Sequence, residues 1–167
     1  MDNIQQNTEK LRKRLRMAKT GNLLKQYKKF AQVLARPAKP MERIQTKIGD
    51  RNETEVRTAQ PDDWVVSNVA AFGEKQLTPN VTFQKRYDVA NPVGEEADGF
   101  KRYNPKNAYF YGVKYTGSPM TFAPPTWGGS TQNIESGYMI GGPSTETIET
   151  GFYGIDPIAF IKTYRLD

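Results

Sequence analysis

The chain has 167 residues without a single cysteine or histidine, which excludes disulfides, thiolate metal sites, an imidazole base and the commonest metal ligand. Its net charge of +6 is unevenly spread: residues 1–50 hold 13 Lys/Arg against 4 Asp/Glu, and residues 51–167 hold 11 against 14. A basic head on a slightly acidic body favours an anionic partner for the head, and no apolar run approaches the ~18–20 residues that cross a bilayer.

The N-terminus, MDNIQQNTEK, lacks the basic-then-apolar order of a secretory signal, so a soluble intracellular protein is expected. TEKLRKRLRMAK reads as a helix with Thr8 as N-cap and Leu11 and Leu15 four residues apart. Thr20–Asn22 interrupts it. LLKQYKKFAQVLAR then reads as a second helix, because Leu23, Tyr27, Phe30 and Leu34 share one face with Leu24 and Ala31. Pro37 and Pro40 end it. Residues 1–36 are therefore predicted to be a basic arm, one helix or a helical hairpin.

Two readings of that arm compete. In one it packs on its own body and its lysines are solvated. In the other the stripe Leu23, Tyr27, Phe30 and Leu34 docks on a partner protein, while Arg12, Lys13, Arg14, Arg16 and Lys19 touch phosphate or acidic protein. A membrane surface is disfavoured, since the stripe has two aromatics and no tryptophan. Residues 37–55 read as a polar, proline-punctuated linker with a short strand near Ile44–Ile48.

The body divides into 56–90, 91–133 and 134–167. Its first and last parts share a pattern. Asp63-Trp64-Val65-Val66 falls opposite Gly137-Tyr138-Met139-Ile140, and Val81, Phe83, Lys85 and Tyr87 fall opposite Ile158, Phe160, Lys162 and Tyr164. Each part runs from a turn into a short apolar strand, through a polar hairpin with Gly73 or Gly151, and into a brief helix with Phe and Tyr at i and i+4. GGPST accommodates about three extra residues in the second part. Trp64, Phe83, Tyr87, Tyr138, Phe160 and Tyr164 are the predicted anchors of two small sheets. The segment QPDDWVV…FGEKQLTPNVTFQKRY resembles a module of small bacteriophage proteins of unknown function, roughly PGD-[WY]-[IVL]-V…GE…PxxFxxxY, with Asp62 in place of glycine. The segment from Trp127 to Leu166 resembles a second copy, with Gly137 at the usual Asp. The resemblance implies phage origin and a small β-rich domain.

Between these parts, Tyr109, Tyr111, Val113 and Tyr115 alternate with Phe110, Gly112 and Lys114 as on a strand. The tyrosine row reads as a sheet core, or as a contact surface for protein or for single-stranded nucleic acid with Lys101, Arg102 and Lys106 nearby. The acidic runs around Glu95–Glu96 and Asp62–Asp63 read as solvated loops. Gly128-Gly129 and Gly141-Gly142 read as backbone punctuation at positive φ. No activated nucleophile, phosphate loop or metal signature is recognised, so neither catalysis nor a cofactor is expected. The expected fold is α+β and mainly β: basic N-terminal helix, linker, and an antiparallel body of two related units. The expected role is a phage virion accessory, connector or decoration protein, produced in the host cytoplasm, that joins a multi-copy assembly by binding other virion proteins through its N-terminal arm and aromatic-rich body. The alternative is a phage regulatory protein that contacts nucleic acid through residues 10–29.

Overall fold

The computed structural model describes residues 2–45, 47–48, 51–52, 56–68 and 75–167. Helix α1 (Asn3–Thr20) leads to strands β1 (Lys25–Lys29) and β2 (Val33–Pro37). After two small ladders come β3 (Trp64–Ser67), β4 (Lys75–Thr78), helix α2 (Asn80–Arg86), β5 (Gly94–Glu95) and β6 (Lys101–Tyr103). The chain continues through β7 (Tyr109–Lys114), β8 (Met120–Phe122), β9 (Gln132–Ile134) and β10 (Met139–Gly142). It ends with β11 (Tyr153–Ile155), α3 (Pro157–Thr163) and β12 (Tyr164–Leu166). The architecture is α+β and mainly β, an N-terminal helix followed by antiparallel sheets. Two compact units form: unit 1 from residues 1–28 and 109–167, unit 2 from residues 29–108.

Unit 2 is a five-stranded sheet in the order β4-β3-β2-β6-β5, with antiparallel ladders throughout. Alternation explains β2: Ala31, Val33 and Ala35 are buried at every second residue. Helix α2 lies on this face through Phe83. Its ring is fully buried, stacks on Trp64 at 4.3 Å and on Tyr87 at 4.9 Å, and meets Tyr103 edge-on at 5.5 Å. Trp64 Nε1 also donates to Asn80 Oδ1 at the start of α2 (2.9 Å). At the margin, the buried Lys29 donates from Nζ to Tyr87 Oη (2.6 Å) and Asn68 Oδ1 (3.1 Å). Burial raises the pKa of the Tyr87 hydroxyl.

Among its described residues, the predicted linker 37–55 carries short ladders where the sequence predicts a strand near Ile44–Ile48. Arg43–Ile44 pairs with Arg57–Thr58, and Lys47–Ile48 with Arg51–Asn52. Arg36 on β2 grips Glu42 through both terminal guanidinium nitrogens, Nη1 and Nη2, and the Lys39 amide donates to the same carboxylate (2.9 Å). These bonds lower the Glu42 pKa from 4.5 to about 2, chiefly through the Arg36 hydrogen bonds. Because the folded-state value lies below the unfolded one, the pair stabilises the protein above about pH 4.5 and loses that contribution as pH falls toward about 2. Glu42→Gln should therefore cost about 1–3 kcal/mol at pH 7, with the difference from the parent narrowing in urea titrations between pH 4.5 and 2.5. A difference unchanged across that range would contradict the pairing.

Unit 1 has the sheet order β11-β10-β7-β1-β12. On one face Phe160 of α3 and Tyr164 at the start of β12 pack against Phe110, Met139 and Tyr27. Asp156 starts α3 by accepting from the amides of Ile158 (2.8 Å) and Ala159 (3.3 Å). On the other face, α1 and the β8–β9 ribbon enclose Leu11, Leu15, Phe122, Ile134, Tyr138, Ile140 and Phe152. Gln132 pins this layer, since its amide donates to the Gly154 carbonyl (2.7 Å) and accepts from the Gly154 N–H (2.8 Å).

Gly112 and Gly141 face each other across β7 and β10. A Cβ on Gly141 would run into the Tyr111 carbonyl, and one on Gly112 into the Ile140 carbonyl and the Phe110 ring. Gly141→Ala is therefore expected to cost about 1–3 kcal/mol by overpacking. Gly94→Ala, whose nearest neighbour is an ordinary contact at 3.8 Å from Arg102, is the control expected to change the urea midpoint little.

Several sequence expectations need correction. Residues 23–36 are not a second helix: they form β1 and β2, because long-range ladders to β7, β3 and β6 satisfy their backbone. The predicted arm thus ends at Thr20, and Leu23, Tyr27, Phe30 and Leu34 share no helical face. The predicted 56–90 and 134–167 segments each form only part of a five-stranded sheet, and the 91–133 segment supplies β6 to unit 2 and β7 to unit 1. Gly128 and Gly129 do have positive φ (61° and 93°), but Gly141 and Gly142 lie inside β10. Gly73 falls outside the described residues.

Candidate partner-binding surface

Helix α1 begins earlier than its basic run suggests. Asp2 is the N-cap, accepting from the Gln5 amide (2.7 Å), while Gln5 Oε1 accepts from the Asp2 N–H (3.3 Å). This is a capping box. Thr8 is not the cap: it is buried within the helix, its hydroxyl donating to the Ile4 carbonyl (2.8 Å) and accepting from the Ala123 N–H (2.9 Å). At the other end Asn22 takes a left-handed conformation (φ 56°). Its N–H donates to Lys19 O (3.1 Å), and the Leu23 N–H donates to Ala18 O (2.7 Å). Those two bonds close a Schellman motif and turn the chain into β1.

Between the caps, the buried stripe is Thr8, Leu11, Leu15 and Ala18, a spacing that puts all four on one side. Arginines flank the stripe and fasten the helix. On one flank Arg14 Nη2 donates to the Lys114 carbonyl at the end of β7 (3.4 Å). On the other, Arg12 Nε donates to the Glu149 carbonyl (2.9 Å), and Arg16 Nε to the Glu149 carboxylate (2.6 Å). Arg12 also pairs with Glu9 and lies 5.7 Å over the Phe152 ring. Of the five cations expected to grip a partner, three therefore have work inside unit 1.

Lys10, Lys13 and Lys19 remain exposed and make no ion pair among the described residues. Met17 stands with them, 62% exposed. On the helical wheel Lys10, Lys13 and Met17 fall opposite Leu11 and Leu15, so they face away from the core. The helix carries six Lys/Arg and one Glu, a net +5 on one element. The described chain thus presents a rigid cationic face with one exposed thioether in it.

The remaining predicted residues are scattered. Leu23 is 68% and Phe30 43% exposed; Tyr27 meets Phe160 edge-on at 4.9 Å; Leu34 is half-buried in β2. Trp64, Phe83 and Tyr87 form one aromatic cluster, whereas Phe160 and Tyr164 form another without Tyr138. Tyr138 packs on the α1 side of the sheet, and Met139 takes the place beside Phe160. Tyr109, Tyr111 and Val113 are half-buried and Tyr115 is buried. Lys101, Arg102 and Lys106 lie in unit 2 and the tyrosine row in unit 1, and Arg102 is engaged by Glu96 (2.8 Å). Among the described residues, no helix is long and apolar enough to cross a membrane. The chain matches no protein-family model, no curated protein and no solved structure.

Proposed function

We propose that the protein is a non-enzymatic structural or accessory subunit of a bacteriophage particle, which joins larger virion proteins through the outward cationic face of α1. The observation that carries this reading is the division of labour on that helix: its apolar stripe is consumed by its own body, while Lys10, Lys13 and Met17 are left outward. A helix tied down at both flanks loses little side-chain and backbone freedom when a partner arrives. Lysines around one exposed methionine suit an acidic protein surface with a small apolar centre.

Mass spectrometry of purified particles tests the reading, with the protein expected among the virion components. Abundance in infected cells combined with absence from particles would overturn it. The variant K10Q/K13Q should fold with an unchanged thermal midpoint, since exposed charges contribute little stability. It should bind any particle component more weakly, with a shallower dependence on salt. Binding of the parent to non-specific DNA, falling by roughly 0.9 logarithmic units per neutralised phosphate for each logarithmic unit of salt and lost in the variant, would assign the face to nucleic acid instead.

A further inference from the structure

The ladders within the two sheets follow matching registers. In unit 2, Val33 of β2 is opposite Tyr103 of β6, and Leu34 is opposite Ser67 of β3. In unit 1, Phe110 of β7 is opposite Tyr27 of β1, and Tyr111 is opposite Gly142 of β10. Val33 and Phe110 are 77 residues apart. The same interval separates Leu77 from Gly154, which face Val65 and Ile140 in their ladders. It also separates Phe83 from Phe160 and Tyr87 from Tyr164. The aromatic geometry follows: Tyr103 meets Phe83 at 5.5 Å and 88°, and Tyr27 meets Phe160 at 4.9 Å and 83°.

The turns before β3 and β10 agree as well. Asp63 N–H donates to Gln60 O (3.1 Å) and Tyr138 N–H to Glu135 O (3.2 Å), with positive φ at Asp62 (67°) and Gly137 (103°). Gly137 therefore corresponds to Asp62, and Met139 to Trp64, one residue from the alignment that letters alone suggest. The left-handed position is the one where glycine is favoured.

One element breaks the order. Lys25-Gln26-Tyr27 precedes β2 in the chain but lies in the sheet of β7. Lys101-Arg102-Tyr103 precedes β7 but lies in the sheet of β2. We propose that the chain is a tandem repeat, its matched positions 75–77 residues apart, whose leading strands have changed places, β1 of the first repeat completing the sheet of the second and β6 of the second completing that of the first. This is the arrangement that two copies of a single repeat reach by swapping an identical element. The crossing segments are short, Phe30–Gln32 and Asn104–Ala108. Within unit 2 they are tied by Lys29 N–H to Ala108 O and by Gln32 Nε2 to Asn104 Oδ1, both 2.8 Å. Without exchange, each segment would be a hairpin loop joining Gln26 to Leu34 and Arg102 to Tyr111.

The absence of cysteine makes the two pairings separable. Full-length variants Q26C/Y111C and L34C/R102C are oxidised in dilute solution. Each is then cut at a protease site placed in the exposed Ala97–Gly99 turn and run on a non-reducing denaturing gel. Exchange predicts that the disulfide holds the fragments together at the full-length mass. Separate fragments from these variants, together with disulfide formation in Q26C/L34C and R102C/Y111C, would overturn it. So would cross-linking of the first two variants only between molecules. If the cysteine variants do not fold, nuclear Overhauser contacts in the parent decide. Exchange requires contacts from Tyr103 to the Val33 methyls and from Tyr27 to Phe110. Contacts from Tyr27 to Val33 and from Tyr103 to Phe110 would contradict it.

Discussion

Truncating Leu15 to alanine is expected to destabilise the protein by about 2–5 kcal/mol. Leu15 has no solvent exposure, and it packs with Leu11 into a core built from the β8–β9 ribbon and the far face of the unit 1 sheet. Nothing in that layer is free to collapse into the space, because Phe122 and Phe152 stack in parallel at 5.9 Å and Ile134 and Ile140 are already buried. The lost methylenes and the remaining cavity both count. Met17, two residues on but turned outward, is the internal control: Met17→Ala should stay within about 0.5 kcal/mol of the parent. Equal effects of the two substitutions, read from urea midpoints, would show that α1 is not held by this stripe.

The Phe83→Ala change should be at least as severe, about 3–5 kcal/mol, because this one ring touches Trp64, Tyr87 and Tyr103 and is fully buried. Phe83→Leu separates two contributions. It keeps most of the apolar volume and gives up the ring geometry, which is worth about 0.5–1.5 kcal/mol per aromatic pair. Val81→Ala on the outward side of α2, where Val81 is 80% exposed, should be nearly silent. A Phe83→Ala protein as stable as Val81→Ala would remove α2 from the account of unit 2.

The helix α1 was legible because Leu11 and Leu15 repeat at helical spacing and a glycine stands at its end. Its true start was legible too, in Asp2 and Gln5 three residues apart, but Thr8 before the basic run competed for the same role. Residues 23–36 carry two superposed patterns. Leu23, Tyr27, Phe30 and Leu34 recur at helical spacing, while Ala31, Val33 and Ala35 alternate as on a strand. The choice falls to ladder partners 27–87 residues away along the chain, and no local window contains them. The same holds for the arginines of α1. Charge counting marks them as outward, yet Glu149 and the Lys114 carbonyl draw three of them onto the body. Trp64 and the two Phe-x-x-x-Tyr runs were readable as ring anchors. The placement of Tyr138 was not, because a shift of one residue in a strand moves a side chain to the opposite face.

The functional account rests on the outward cations of α1 taking part in assembly. The most direct test co-expresses the parent and K10Q/K13Q during infection and measures their ratio in purified particles by mass spectrometry. Two charge contacts of about 0.5 kcal/mol each predict an excess of roughly fivefold for the parent, relative to the two proteins' ratio in the cell. Incorporation of both in proportion to their cellular abundance would contradict the role assigned to this face.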